Sequence, residues 1–197
     1  MIGSLWECFC EFGSVPPYDL AADRPRPLSQ NGGKPHDSIY AIMRPMAGPH
    51  LVLDSNVLAS AFTSGKGAPR ELLRAVLRGE CVAAISVPLF LEYEDVLTRP
   101  QVRQRCSLSE EEQERLFDAF LARTELVEVY YRWRPNLRDE ADNHVLELAI
   151  AAGGIPIVTY NRRDFASGDL RFPGLIVQTP AAWLKAQRNV QNPDEPS

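Results

Sequence analysis

The chain has 197 residues, 45% of them hydrophobic and 24% charged, with a formal net charge of −5. That is room for one ordinary domain and a tail, and no apolar run approaches the roughly 20 residues that a membrane span needs. The amino end has no basic stretch leading into an apolar one, so a secretory signal is not expected and a cytoplasmic, membrane-free protein is.

Residues 1–48 read as a poorly structured extension. Pro16-Pro17, Pro25, Pro27, Asn31-Gly32-Gly33 and Pro35 break every periodic pattern there. Met43 and Met46 are candidate native starts just upstream of the first strand. The folded domain is expected over 49–188 and a mobile polar tail over 189–197. Leu51-Val52-Leu53 is an apolar run suited to a strand covered on both faces. It stops at Asp54, and Ser55 or Asn56 is expected to cap the helix that runs to Phe62. After a Gly-containing loop, a helix is expected from Ala68 to Arg78. Leu72, Leu73, Val76 and Leu77 form its inner side, with Arg70, Arg74 and Arg78 on the opposite, solvated side.

Cys81 to Ile85 reads as the next strand, with Cys81 a small core residue. Ser86 is placed to cap a helix over Val87–Thr98, with Pro88 tolerated in its first turn. Leu89, Phe90, Tyr93, Val96 and Leu97 share one side of it, and Glu92 lies at the edge of that side. Ser109 and Glu112 form a capping box for a helix over Leu108–Arg123, whose stripe is Leu116, Phe117, Phe120 and Leu121. A strand follows over Glu125–Tyr130, then an Arg-, Trp- and Pro-rich loop over Tyr131–Glu140. Asp142 opens a further helix that Gly153-Gly154 ends. Ile155–Thr159 is a buried strand, and Asn161 to Phe165 turns off its end. A strand over Leu175–Val177 and a helix to about Gln187 complete the domain. Strands alternating with helices predict an α/β fold with a central parallel sheet and helices on both faces.

Cys8, Cys10, Cys81 and Cys106 include no C-x-x-C pair, so neither a zinc site nor a disulfide framework is expected. Four acids stand at transitions that a parallel sheet brings to one edge: Asp54, Glu92, Asp142 and Asp164. Carboxylates converging there repel one another unless some take up protons or a divalent cation joins them. Oxygen-only ligation favours Mg²⁺ or Mn²⁺ and suits metal-assisted phosphodiester hydrolysis. An acidic protein meets phosphates when cations cover its carboxylates. Each acid also has a structural reading: a turn or cap for Asp54, Asp142 and Asp164, a solvated edge for Glu92.

Leu-Asp-Ser-Asn-Val-Leu at 53–58, Leu-Glu-Tyr at 91–93, Asp-Asn-His-Val-Leu-Glu-Leu-Ala at 142–149 and Val-Thr-Tyr-Asn-Arg-Arg-Asp-Phe at 158–165 resemble the four acidic motifs of PIN domains, closest to the VapC-like toxins of bacterial toxin–antitoxin pairs. The resemblance implies a three-layer α/β/α PIN fold and a Mg²⁺- or Mn²⁺-dependent endoribonuclease that hydrolyses RNA through metal-activated water. It implies Asp54, Glu92, Asp142 and Asp164 as catalytic metal ligands. Asn56, Thr159, Asn143, Asn161 and Asp139 are the implied supporting residues, Asn143 and Asn161 standing where relatives carry acids. It further implies a homodimer and a cognate antitoxin partner. Arg162, Arg163, Arg70 and Arg74 are RNA-contact candidates. Tyr130-Tyr131-Arg132-Trp133-Arg134 has a composition suited to base stacking. His144 is read as a local polar contact rather than a ligand.

Two alternatives remain. A degenerate PIN module would bind RNA or protein without cutting. A haloacid-dehalogenase-type phosphatase would use Asp54 as nucleophile, but that motif wants an acid where Asn56 stands and a downstream lysine.

Overall fold

The computed structural model describes residues 48–130, 137, 142–165, 172 and 174–191. The expected extension over 1–47, most of the loop 131–140 with Asp139, and the tail from 192 lie outside the described residues. The chain divides into two units, Met1–Met46 and Ala47–Ser197, and every described residue belongs to the second.

Five strands form one parallel sheet in the order β3-β2-β1-β4-β5. They are β1 (His50–Leu53), β2 (Val82–Ile85), β3 (Thr124–Leu126), β4 (Ile157–Val158) and β5 (Val177–Gln178). Helices α1 (Ser55–Thr63), α2 (Ala68–Leu77), α3 (Val87–Thr98), α4 (Pro100–Arg105), α5 (Glu110–Leu121), α6 (Asn143–Ala151), α7 (Arg162–Phe165) and α8 (Pro180–Gln191) connect and flank them. β1 is central: Leu51 pairs with Ala83 on one side, and Val52 with Ile157 on the other. Leu51 and Val52 are fully buried, as a strand covered on both faces requires. With every strand parallel, the carboxyl ends of β1, β2 and β4 lie along one edge. Asp54, Ser86 and Thr159 each follow directly on one of those strands. None of the described helices is long and apolar enough to cross a membrane.

The packing of α3 and α5 sets the height of α3 against that edge. Tyr93 meets Phe120 edge-on at 5.9 Å between ring centres, and Phe117 stacks on Phe90 at 6.2 Å. Tyr93 then donates its hydroxyl proton to the Leu53 carbonyl at 2.6 Å, at the very end of β1. That bond satisfies a buried carbonyl and fixes α3 beside Asp54. The expected capping box of α5 is present: the Ser109 amide donates to Glu112 Oε2 at 2.7 Å and the Glu112 amide to Ser109 Oγ at 3.3 Å.

Several details differ from the expectations. The residue that caps α1 is Asp54, not Ser55 or Asn56; its carboxylate accepts from the Asn56 amide. α4 was not expected, for its six residues Pro-Gln-Val-Arg-Gln-Arg carry no apolar stripe. β3 ends at Leu126 rather than Tyr130. α8 runs on to Gln191, into the stretch expected to be tail. There Arg188, Asn189 and Val190 are exposed, so burial leaves no periodic mark in the sequence.

The arginine side of α2 is the largest correction. Arg70 is buried, and its Nη1 donates to the Ala61 carbonyl in α1 at 3.3 Å. Arg74 is half-covered and pairs with Glu71 at 2.6 Å, and Arg78 pairs with Glu80 at 2.6 Å. Helix α2 packs on both α1 and α8, so the side left polar by the sequence is not a free solvated face. Arg70 is thereby removed from the RNA-contact candidates.

Candidate active site

Asp54 sits where β1 turns into α1. Its amide donates to the Val158 carbonyl at 3.0 Å, so the ladder between β1 and β4 continues to the residue itself. Its carboxylate is only 4% exposed. A charge so placed needs partners, and four atoms surround it. Thr159 Oγ1 donates to Oδ2 at 2.5 Å, and Asn56 Nδ2 donates to the same oxygen at 2.8 Å. The Asn56 amide donates to Oδ1 at 3.3 Å. Ser55 Oγ lies 3.4 Å from Oδ1 but only 2.6 Å from Glu92 Oε1. A serine has one hydroxyl proton, and the shorter bond takes it. Ser55 therefore ties the two carboxylates together while donating to Glu92.

Thr159 is the hub of the β4 side. Fully buried, it donates to Asp54 and accepts from the Asn161 amide at 2.8 Å and Asn56 Nδ2 at 3.3 Å. Its one proton and two lone pairs are all in use. Asn161 continues the chain outward, donating through Nδ2 to Asp164 Oδ2. Asp164 lies in the short α7, with Arg162 and Arg163 exposed beside it. On the other flank His144 Nε2 lies 2.7 Å from Glu92 Oε2. His144 is thus the polar contact expected of it, and its partner is Glu92.

The two central carboxyls are pushed in opposite directions. Burial, and less strongly the charge of Glu92, raises Asp54 above the usual carboxylate range; the bonds from Thr159 and Asn56 do not fully offset this. Burial also works against the charge of Glu92. There the contacts from His144 and Ser55, with Arg99 behind them, outweigh it and hold the group below its usual range. Glu92 is the firmly ionised member of the pair, and Asp54 the one whose charge costs most.

Among the expected site residues, the structure joins Asp54, Glu92, Asn56 and Thr159 directly and reaches Asp164 through Asn161. Asp142 stands half-buried at the amino end of α6, two residues before His144, and makes no side-chain cap bond there. Asn143 has a partner in the fold. It is fully buried, and its Oδ1 accepts from the Leu137 amide at 3.0 Å, which gives it a structural task. Among the described residues, no three His, Cys, Asp or Glu side chains stand close enough together to hold a metal ion. In kind the donors do fit a hard cation. They are carboxylate oxygens, two of them bridged by Ser55, and the buried one has a charge that a cation would stabilise. Ser55 was read only as a cap. The signal that could have marked it is its place between the acid of β1 and the first turn of α1.

A search among curated proteins finds no match. The model of the PIN domain matches residues 50–163, which span Asp54, Glu92 and Asp142 and stop one residue before Asp164. That match covers well over half of the chain and agrees with the parallel sheet and its acidic edge: the protein belongs to the PIN domain family.

Proposed function

We propose that this protein is an endoribonuclease that cuts single-stranded or looped RNA with Mg²⁺ or Mn²⁺, and that it is the toxin of a toxin–antitoxin pair. PIN domains are in general nucleases that use divalent metal ions. The observation that carries the reading is the pair of unlike carboxylates sharing Ser55: Asp54, buried and disfavoured as an anion, and Glu92, held ionised. Acids whose titration is shifted by burial and specific partners in such a place are functional-site candidates.

Asp54 and Glu92 would hold the cation, with Asp142 and Asp164 as the further carboxylates. Such an ion, when bound, supplies a lowered pKa for water and charge neutralisation at the phosphate. The chain's own residues do the rest. Thr159 and Asn56 fix the Asp54 carboxylate, and Tyr93 fixes the end of the strand that carries it. Arg162 and Arg163, exposed beside Asp164, are placed to meet the phosphate backbone. A 5′-phosphate and a 3′-hydroxyl are the expected ends. A homodimer, a small antitoxin that blocks the cleft and a cytoplasmic location belong to the same reading and rest on the VapC-like motifs.

The test is cleavage of single-stranded RNA with Mg²⁺ or Mn²⁺ against EDTA, with Asp54→Asn alongside. Loss of cleavage in both controls is expected. Cleavage that survives either one overturns the reading. One observation favours the alternative of a module that binds without cutting: asparagines stand at 143 and 161, and Asn143 serves the fold. RNA binding with no cleavage under either metal would decide for it. The phosphatase reading falls with the family assignment.

A further inference from the structure

A cavity of about 600 Å³ opens at the carboxyl ends of β2 and β3. Its volume lies within the usual range of small-ligand sites. His144 lines it and also touches Glu92 at 2.7 Å, so it adjoins the carboxylate site without sharing Asp54. We propose that this cavity receives one unstacked nucleobase of the single-stranded substrate, next to the phosphate held at the acidic edge. The proposal rests on the nuclease reading for the identity of the strand.

Three observations support it. Part of the wall is apolar and open, with Val87 and Leu126 each 61% exposed and Tyr130 80% exposed. The Tyr130 hydroxyl donates to Glu128, and among the described residues no other ring stacks on Tyr130. Aromatic faces of this kind are the sequence-tolerant element of single-strand recognition.

Second, the cavity wall includes a polar group in want of a partner. Ser86 is 2% exposed, stands at the cap position of α3 without capping it, and its Oγ has no hydrogen-bond partner among the described residues. A buried hydroxyl left unpaired costs free energy; this oxygen is itself covered, so a base edge pairs with it only where the cavity wall gives way. Third, Glu128 and Glu147 give the cavity an acidic lining. That lining repels a phosphate and leaves the neutral base as the part of the strand that suits the cavity. With a net charge of −5, the protein cannot rely on general phosphate attraction, so stacking gives the strand a salt-insensitive hold.

The experiment uses the full chain carrying Asp54→Asn, which keeps bound RNA intact. Its probe is a single-stranded RNA octamer in which one abasic residue is walked along the strand. One position is expected to lose about tenfold in affinity, the scale of a single base stack. Tyr130→Ala and Val87→Trp change exposed residues and are expected to leave the melting temperature unmoved while erasing that positional dip. An equal loss at every position, or a dip that survives both variants, overturns the proposal. So does a cavity that instead governs capture of a protein partner, with Val87→Trp releasing the partner and leaving RNA affinity unchanged. Cleavage by the unsubstituted chain is measured in parallel. A dip without cleavage sinks the nuclease reading alone, and cleavage without a dip sinks the cavity alone.

Discussion

The two halves of the sheet's carboxyl edge are built on opposite terms. At β1 and β4 the polar atoms around Asp54 are engaged: Thr159 spends its proton and both lone pairs, and the Asp54 carboxylate is bonded at both oxygens. At β2 and β3 the equivalent position is Ser86, whose hydroxyl has no partner among the described residues, beside exposed Val87, Leu126 and Tyr130. The first half holds a charge in place at a cost. The second leaves apolar surface and one hydroxyl uncommitted. A saturated network resists change, whereas an unsaturated one waits for something to bind.

The strongest way to break that contrast is Asp54→Asn. Cleavage should fall about a thousandfold or more if Asp54 holds the cation as proposed. Because burial raises Asp54, removing its charge should leave the melting temperature equal or raise it, by about 2–4 °C for each kcal/mol gained. A large fall in melting temperature would mean that the carboxylate serves the fold. Next is Thr159→Val, which keeps the shape and removes the hub. It should cost about 1–3 kcal/mol in denaturant unfolding, and about 10–100-fold in activity through Asp54. Thr159→Ser should restore most of both. If Thr159→Val matches the parent, the saturated half is not the source of rigidity.

A smaller, pH-dependent effect belongs to Glu92. Its carboxyl is held below 4.5 in the fold, so its stabilising contribution is present above pH 4.5 and disappears as pH falls through the lowered value. The difference in melting temperature between the parent and Glu92→Gln should therefore close on acidification. A gap that widens instead reverses the sign assigned to the His144 and Ser55 contacts. The least effect is expected from Ser86→Ala. Deleting an unpaired buried hydroxyl should be neutral or stabilising by about 1 kcal/mol or less. A clear loss of stability would show that Ser86 is engaged after all, and the contrast between the halves would fail.

Much of the frame was legible because it is local. An apolar run ending in an acid marked β1, a Ser-x-x-Glu box marked the start of α5, and helical spacing picked out Leu89 and Tyr93, both buried. The acids at 54 and 92 were legible as strand-end and helix-edge positions. What joins them was not. Ser55 reaches Glu92 across 37 positions and Thr159 reaches Asp54 across 105, and periodicity carries no trace of such pairings. The arginines of α2 misled for the same reason. Spacing placed Arg70 opposite the apolar stripe, but helices α1 and α8 both pack on α2, so being opposite the stripe does not mean facing water. Asn143 resembled a weakened acid by position, while its amide in fact holds the backbone of Leu137.

The bond between Thr159 and Asp54 also bears on when the proposed activity could first arise during synthesis of the chain. The two residues are 105 positions apart. At ribosomal speeds of about 5–20 residues per second, the later one emerges roughly 5–20 s after the earlier. Until then β1 has no neighbour on its β4 side and the acid lacks its firmest support. If the site cuts RNA as proposed, a nascent chain lacks the finished centre until most of the domain has been made, which would give a cell an interval in which to restrain it.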